Sequence, residues 1–201
     1  MEREMLNNND FSAYPFVFWS PVGPHCGESV TDIFARKTEE INKVGFTLWS
    51  FSKLSIDRVN TIRRELGGNH CYVFCVYNKK NRDPAKSGDK THWANQISPN
   101  KLQWLNIPHG VETGHPSIDS DGITSSAYVV KSIKLINDKI VFPADIFLLK
   151  QNKWESQCGL GRFGQKFLRY NQNAKERKSK CLMAIMRLEY PYVVWCRKIV
   201  D

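Results

Sequence analysis

A chain of 201 residues, 41% apolar and 12% aromatic, can form one core without disulfides, which predicts a single α+β domain over 1–201. Its 29 Lys and Arg against 20 Asp and Glu leave a formal charge of +9, a balance that favours a polyanionic partner. No apolar run approaches ~18 residues, and the opening MEREMLNNND lacks the tripartite order of a secretory signal, so neither a membrane span nor a membrane partner is expected.

In chain order, YPFVFW (14–19) reads as a first strand, ended by the turn-rich SPVGPHCG. ESVTDIFARKTEEINKV then sets Val30, Ile33, Phe34, Ile41 and Val44 mostly on one face of a 3.6-residue period, which predicts a helix. GFTLWSF follows as a short strand. SIDRVNTIRREL opens on Ser55 as a cap, lines up Ile56, Val59, Ile62 and Leu66, and stops at Gly67 and Gly68. CYVFCVY reads as a strand that turns Cys71 and Cys75 to the same side, toward the core. The six cysteines, Cys26, Cys71, Cys75, Cys158, Cys181 and Cys196, are irregularly spaced. They predict reduced thiols and an intracellular reducing compartment, cytoplasmic or nuclear.

A basic loop, 78–102, carries Lys79, Lys80, Arg82, Lys86, Lys90 and Lys101; loops of such length are uncommon unless functional or disordered. After the polar stretch 106–126, SAYVVKSIKLI predicts a long strand. Asn137 and Asp138 are expected to turn it into KIVF as a hairpin, and PADIFLLK to open a short helix with Pro143 in its first turn. A basic C-terminal segment, 150–180, reads as a glycine-punctuated loop. In KCLMAIMRLE helix and strand compete, and YPYVVWCRKIV closes as a strand.

Two early helices and several late strands predict a curved, mainly antiparallel or mixed sheet flanked by helices. At the level of architecture this order resembles the PUA-like domains. That resemblance rests on element order and implies an open barrel with helices at one side, binding RNA or a modified base in DNA.

Four features bear on function. First, charge is uneven: residues 151–201 carry 11 basic and 4 acidic groups, whereas residues 1–50 carry 4 and 7. Second, GLGRFG (159–164) has no strand–helix dinucleotide frame, but its glycines permit close backbone approach. With Arg162, Lys166 and Arg169 beside them, they form a candidate phosphate cradle.

Third, Trp93 in DKTHWANQ and Trp104 in KLQWLN sit among polar and basic neighbours and are candidate stacking residues for an unpaired or flipped base. Trp49 and Trp19 are candidate pocket walls, and Ser20, Ser50 and Asn95 candidate readers of a base edge. Fourth, NIPHGVETGHPSIDSDGITSS holds Asp119 and Asp121, with Lys131 ten residues beyond Asp121. An acidic pair with a lysine suits a small metal-dependent nuclease, the first alternative and the only one that requires a cofactor, a divalent metal. His25 beside Cys26 is the remaining thiol candidate.

The favoured expectation is nucleic-acid binding, to RNA or DNA, through a basic surface and an aromatic pocket that recognises a flipped or modified base. A regulator facing an acidic protein partner is the second alternative. No motif fixes an enzymatic activity.

Overall fold

The computed structural model describes residues 11–24, 28–51, 54–78, 103–105, 123–150, 153–158, 166–171, 173–175 and 177–197. Among them are nine strands and two helices: β1 (Val17–Val22), α1 (Val30–Val44), β2 (Thr47–Phe51), α2 (Ile56–Leu66), β3 (Cys71–Tyr77), β4 (Gln103–Leu105), β5 (Ile123–Pro143), β6 (Asp145–Lys150), β7 (Lys153–Cys158), β8 (Lys166–Tyr170) and β9 (Arg177–Arg197). The strand order is β2-β5-β9-β3-β1-β8-β6-β7, with β4 paired to β9 off this path. β1 and β3 run parallel, whereas β1–β8, β2–β5, β4–β9, β6–β7 and β6–β8 are antiparallel. The fold is therefore α+β with a large mixed sheet. Among the described residues the ends of the path, β2 and β7, do not pair, so the sheet is not closed.

Both helices begin and end where local chemistry dictates. Ser29 Oγ accepts from the Asp32 N–H at 3.1 Å, and Asp32 Oδ2 accepts from the Ser29 N–H at 3.2 Å, which satisfies two donors that the first turn of α1 would leave open. Gly45, at φ 84°, ends α1 with its N–H on the Ile41 carbonyl. Ser55 caps α2 and Gly67, at φ 55°, closes it.

Elsewhere tertiary packing overrides local signals. Asn137 adopts a left-handed φ of 49°, as a turn residue would, yet no hairpin forms and β5 continues to Pro143. Ile136, Ile140 and Phe142 pack into one core, and burying this series outweighs the turn preference of Asn137–Asp138. PADIFLLK is not a helix either. Past Ala144 the chain alternates, with Ile146 and Leu148 inward, and forms β6. Part of the expected basic loop is strand, as β7 and β8. KCLMAIMRLE resolves as strand and runs on through YPYVVWCR as the single strand β9.

The chain divides into two compact units. Unit 1 comprises Met1–Gly23, Cys71–Asn81 and Ile133–Arg187; unit 2 comprises Pro24–His70, Arg82–Ser132 and Leu188–Asp201. In unit 1 one sheet face builds the core: Val17 and Trp19 of β1, Phe74 and Val76 of β3, Ile146 and Leu148 of β6, and Leu168 and Tyr170 of β8, with Phe11 and Phe142 against them. Trp19 is thus core rather than a pocket wall, edge-on to Phe142 at 5.0 Å. In unit 2 the buried residues include Leu48, Ala127, Val129 and Val194, with Phe46 against them. Val59, Ile62 and Leu66 are buried along α2.

Candidate nucleic-acid interface

The strand alternation that sends Leu168 and Tyr170 into the core of unit 1 puts Phe167 and Arg169 on the opposite face of β8. Register then sets the neighbours of Arg169. It stands opposite Phe147 on β6, and two positions along β6, Leu149 stands opposite Trp154 on β7. The Arg169 guanidinium carbon lies 4.9 Å from the Phe147 ring centroid and 5.1 Å from that of Trp154. Trp154 stacks in turn on Phe16 at 5.7 Å and 22°, and both rings meet Phe167. Phe16, Phe147, Trp154 and Arg169 are half-buried.

This setting fixes what Arg169 can do. A guanidinium is attracted to ring faces, and stacking there immobilises its plane. With its guanidinium carbon close to two rings, the group still carries a planar fork of five N–H donors. Among the described residues no carboxylate or carbonyl accepts from that edge, and Glu155 on neighbouring β7 is bonded instead to Lys150 at 2.9 Å. A half-buried cation whose donors have no acceptor among the described residues suits a bidentate oxyanion such as phosphate.

The other expected site residues lie on separate elements or outside the described residues. Lys166 opens β8 opposite Trp19, and Trp104 lies in β4 opposite Cys196; only their backbones are described. Trp49 is half-buried in unit 2, stacked on Phe34 of α1 at 5.5 Å and 14°, a helix-to-strand packing contact. Lys131 rests its ammonium 5.7 Å from the Phe46 ring. Trp93, Arg162, Asp119, Asp121, Asn95, His25 and Cys26 lie outside the described residues. Among the described residues no group of three His, Cys, Asp or Glu is gathered as a metal would require. Cys71 and Cys75 are buried as free thiols, and burial pushes both far above the usual thiol range, so neither is a nucleophile.

Unit 2 also holds a charged cluster that sequence patterning does not announce. Arg36 of α1 donates through Nε and Nη2 to Glu28 at 2.7 and 2.6 Å. One residue on, Lys37 is only 4% exposed and reaches Glu40 Oε2 at 3.0 Å, an oxygen that also accepts from Thr47 Oγ1 of β2. Burial drives the Lys37 ammonium down to about 8 even with the Glu40 carboxylate beside it. The i,i+3 spacing of Lys37 and Glu40 is a signal for the pair, though not for its burial.

Phe16, Phe147 and Trp154 escape sequence reasoning as well, because their grouping depends on pairing between β6, β7 and β8. No helix among the described residues is long and apolar enough to cross a membrane. Compared with known proteins, no family model, no curated protein and no solved structure matches this chain, so its function has to be argued from these side chains.

Proposed function

We propose that this protein binds RNA or DNA through the basic surface of unit 1, with the Arg169 fork on a backbone phosphate. The single observation that carries the proposal is the Arg169 guanidinium held over Phe147 and Trp154 with its donor edge unmatched by any described acceptor. The charge distribution agrees. The stretches of unit 1 contain 15 basic and 7 acidic residues, net +8, whereas those of unit 2 contain 14 and 13, net +1.

In this proposal Arg162 and Lys166 extend the phosphate grip, Trp93 and Trp104 stack on a flipped or modified base, and segment 106–126 orients the pocket. An open mixed sheet with two helices is the support for a PUA-like architecture. A reducing compartment, cytoplasmic or nuclear, belongs to the same proposal and rests on the irregular cysteine spacing alone.

The test is fluorescence anisotropy with matched RNA, DNA and modified-base DNA probes over a salt series, with and without magnesium. Wild type should bind more weakly as salt rises, and Arg169→Ala should reduce the slope of log K against log[salt] by about 1, because one phosphate is no longer neutralised. An unchanged slope and affinity in Arg169→Ala would remove this residue from the interface. Absence of binding to every probe at low salt would end the nucleic-acid proposal. Magnesium-dependent cleavage of a probe would turn it toward the nuclease alternative.

A further inference from the structure

Unit 2 contains a second aromatic feature that neither packing nor the Arg169 site explains. Along β9 the residues Tyr192, Val193, Val194 and Trp195 are fully buried, yet Tyr190 in the same strand is 50% exposed. Tyr192 takes a φ of 59°, a left-handed conformation that a bulky aromatic rarely adopts. Surrounding groups hold this irregularity in place. The Tyr192 hydroxyl donates to the Asn69 carbonyl at 2.7 Å. The buried Arg63 of α2 donates through Nε to the Pro191 carbonyl at 3.2 Å and through Nη2 to the Val193 carbonyl at 3.0 Å. Its guanidinium carbon also lies 5.7 Å from the Tyr190 ring centroid.

Each of these contacts fixes Tyr190 without covering it. Arg63 lies over one face of the ring, and Tyr192 meets it at 6.0 Å and 83°. Half of the Tyr190 surface remains exposed beside these contacts. A ring so held loses little freedom when a flat partner settles on it. Arg63 and Tyr192 are themselves buried and bonded, and the exposed ring of Tyr190 is displayed beside them. Such irregularities persist where the displayed group has a use.

We infer that Tyr190 is a stacking contact for an unpaired nucleobase, which makes single-stranded or locally opened nucleic acid the ligand class. The inference rests on the nucleic-acid proposal above and adds a second contact, in unit 2, to that of Arg169. Stacking accepts any base, so the contact contributes affinity without sequence preference, and a base paired in a duplex cannot reach the ring face.

The experiment compares wild type, Tyr190→Phe and Tyr190→Ala by anisotropy on a single-stranded oligonucleotide and on the blunt duplex of the same sequence. Circular dichroism of each variant checks that it is folded. Tyr190→Ala should lose about 5- to 150-fold in single-strand affinity, the range expected for one stacked base. Its salt slope and duplex affinity should stay at wild-type values, and Tyr190→Phe should retain single-strand binding. Photocrosslinking wild type to a strand carrying 5-bromouracil should attach at Tyr190, a readout independent of how the alanine variant folds. Wild-type binding with no loss in Tyr190→Ala and no crosslink at Tyr190 overturns the inference alone. Equal losses in Tyr190→Phe and Tyr190→Ala also overturn it, since they make the hydroxyl the contact. Absence of wild-type binding to either probe overturns the nucleic-acid proposal and the inference with it.

Discussion

Lys37 illustrates how one buried side chain ties stability to pH. Its ammonium is taken out of water beside the Glu40 carboxylate, and desolvation outweighs that attraction, so its pKa falls from 10.5 to about 8. A lysine whose folded pKa is depressed binds fewer protons folded than unfolded between those two values. Stability therefore rises with pH across that interval. Below about 8 both states hold the proton and the dependence disappears. The full interval corresponds to a gain of roughly 3 to 4 kcal/mol at most, since one pKa unit is ~1.4 kcal/mol. Lys37→Met removes the titration, so urea denaturation from about pH 7 to pH 10.5 should show wild type gaining on the variant above about pH 8. Parallel curves would mean that the ammonium titrates as a solvated lysine does.

At the scale of elements, the helices are secured by their ends. Ser29→Ala removes the acceptor for the Asp32 N–H and should cost about 1 kcal/mol in urea melts. Gly45→Ala tests backbone strain alone, because a Cβ there would meet nothing within 4 Å while φ is 84°. It should cost about 1 kcal/mol, and no loss would show that the end of α1 relaxes freely.

Such local chemistry is why α1 and α2 are legible in the sequence: their caps and apolar stripes lie within a few residues of one another. β1 and β3 are legible for a similar reason, as compact apolar runs. Asn137 and Pro143 mislead because each gives a turn or helix signal to its neighbours, whereas a core formed with five other strands decides the conformation. The Arg169 site is half legible. Nearby glycines and cations draw attention to the residue, but its partners Phe147 and Trp154 come from strands whose register no local pattern states. Trp49 shows the converse. An aromatic in an apolar run reads as a pocket wall, and Phe34, earlier in the chain on α1, claims its face instead.

For the whole molecule, composition alone does not say where the charge lies. The +9 of the chain is almost entirely the +8 of the unit 1 stretches, the unit that also contains Arg169. Long-range attraction of a polyanion depends on this summed field, and each phosphate neutralised releases counterions whether or not the contact is specific. Exposed cations of the two units should therefore differ in effect even though the substitutions are chemically alike. Lys175 and Lys178 are exposed in unit 1, and Lys43 and Arg64 are exposed in unit 2. Replacing Lys175 and Lys178 together by Ala should weaken oligonucleotide binding at low salt and reduce the salt slope by up to about 2, one for each phosphate no longer neutralised. Replacing Lys43 and Arg64 together removes the same charge and should leave the slope within error of wild type. Equal effects from the two pairs would mean that net charge alone drives association. An effect confined to the second pair would move the phosphate path to unit 2 and remove the charge argument for the Arg169 fork.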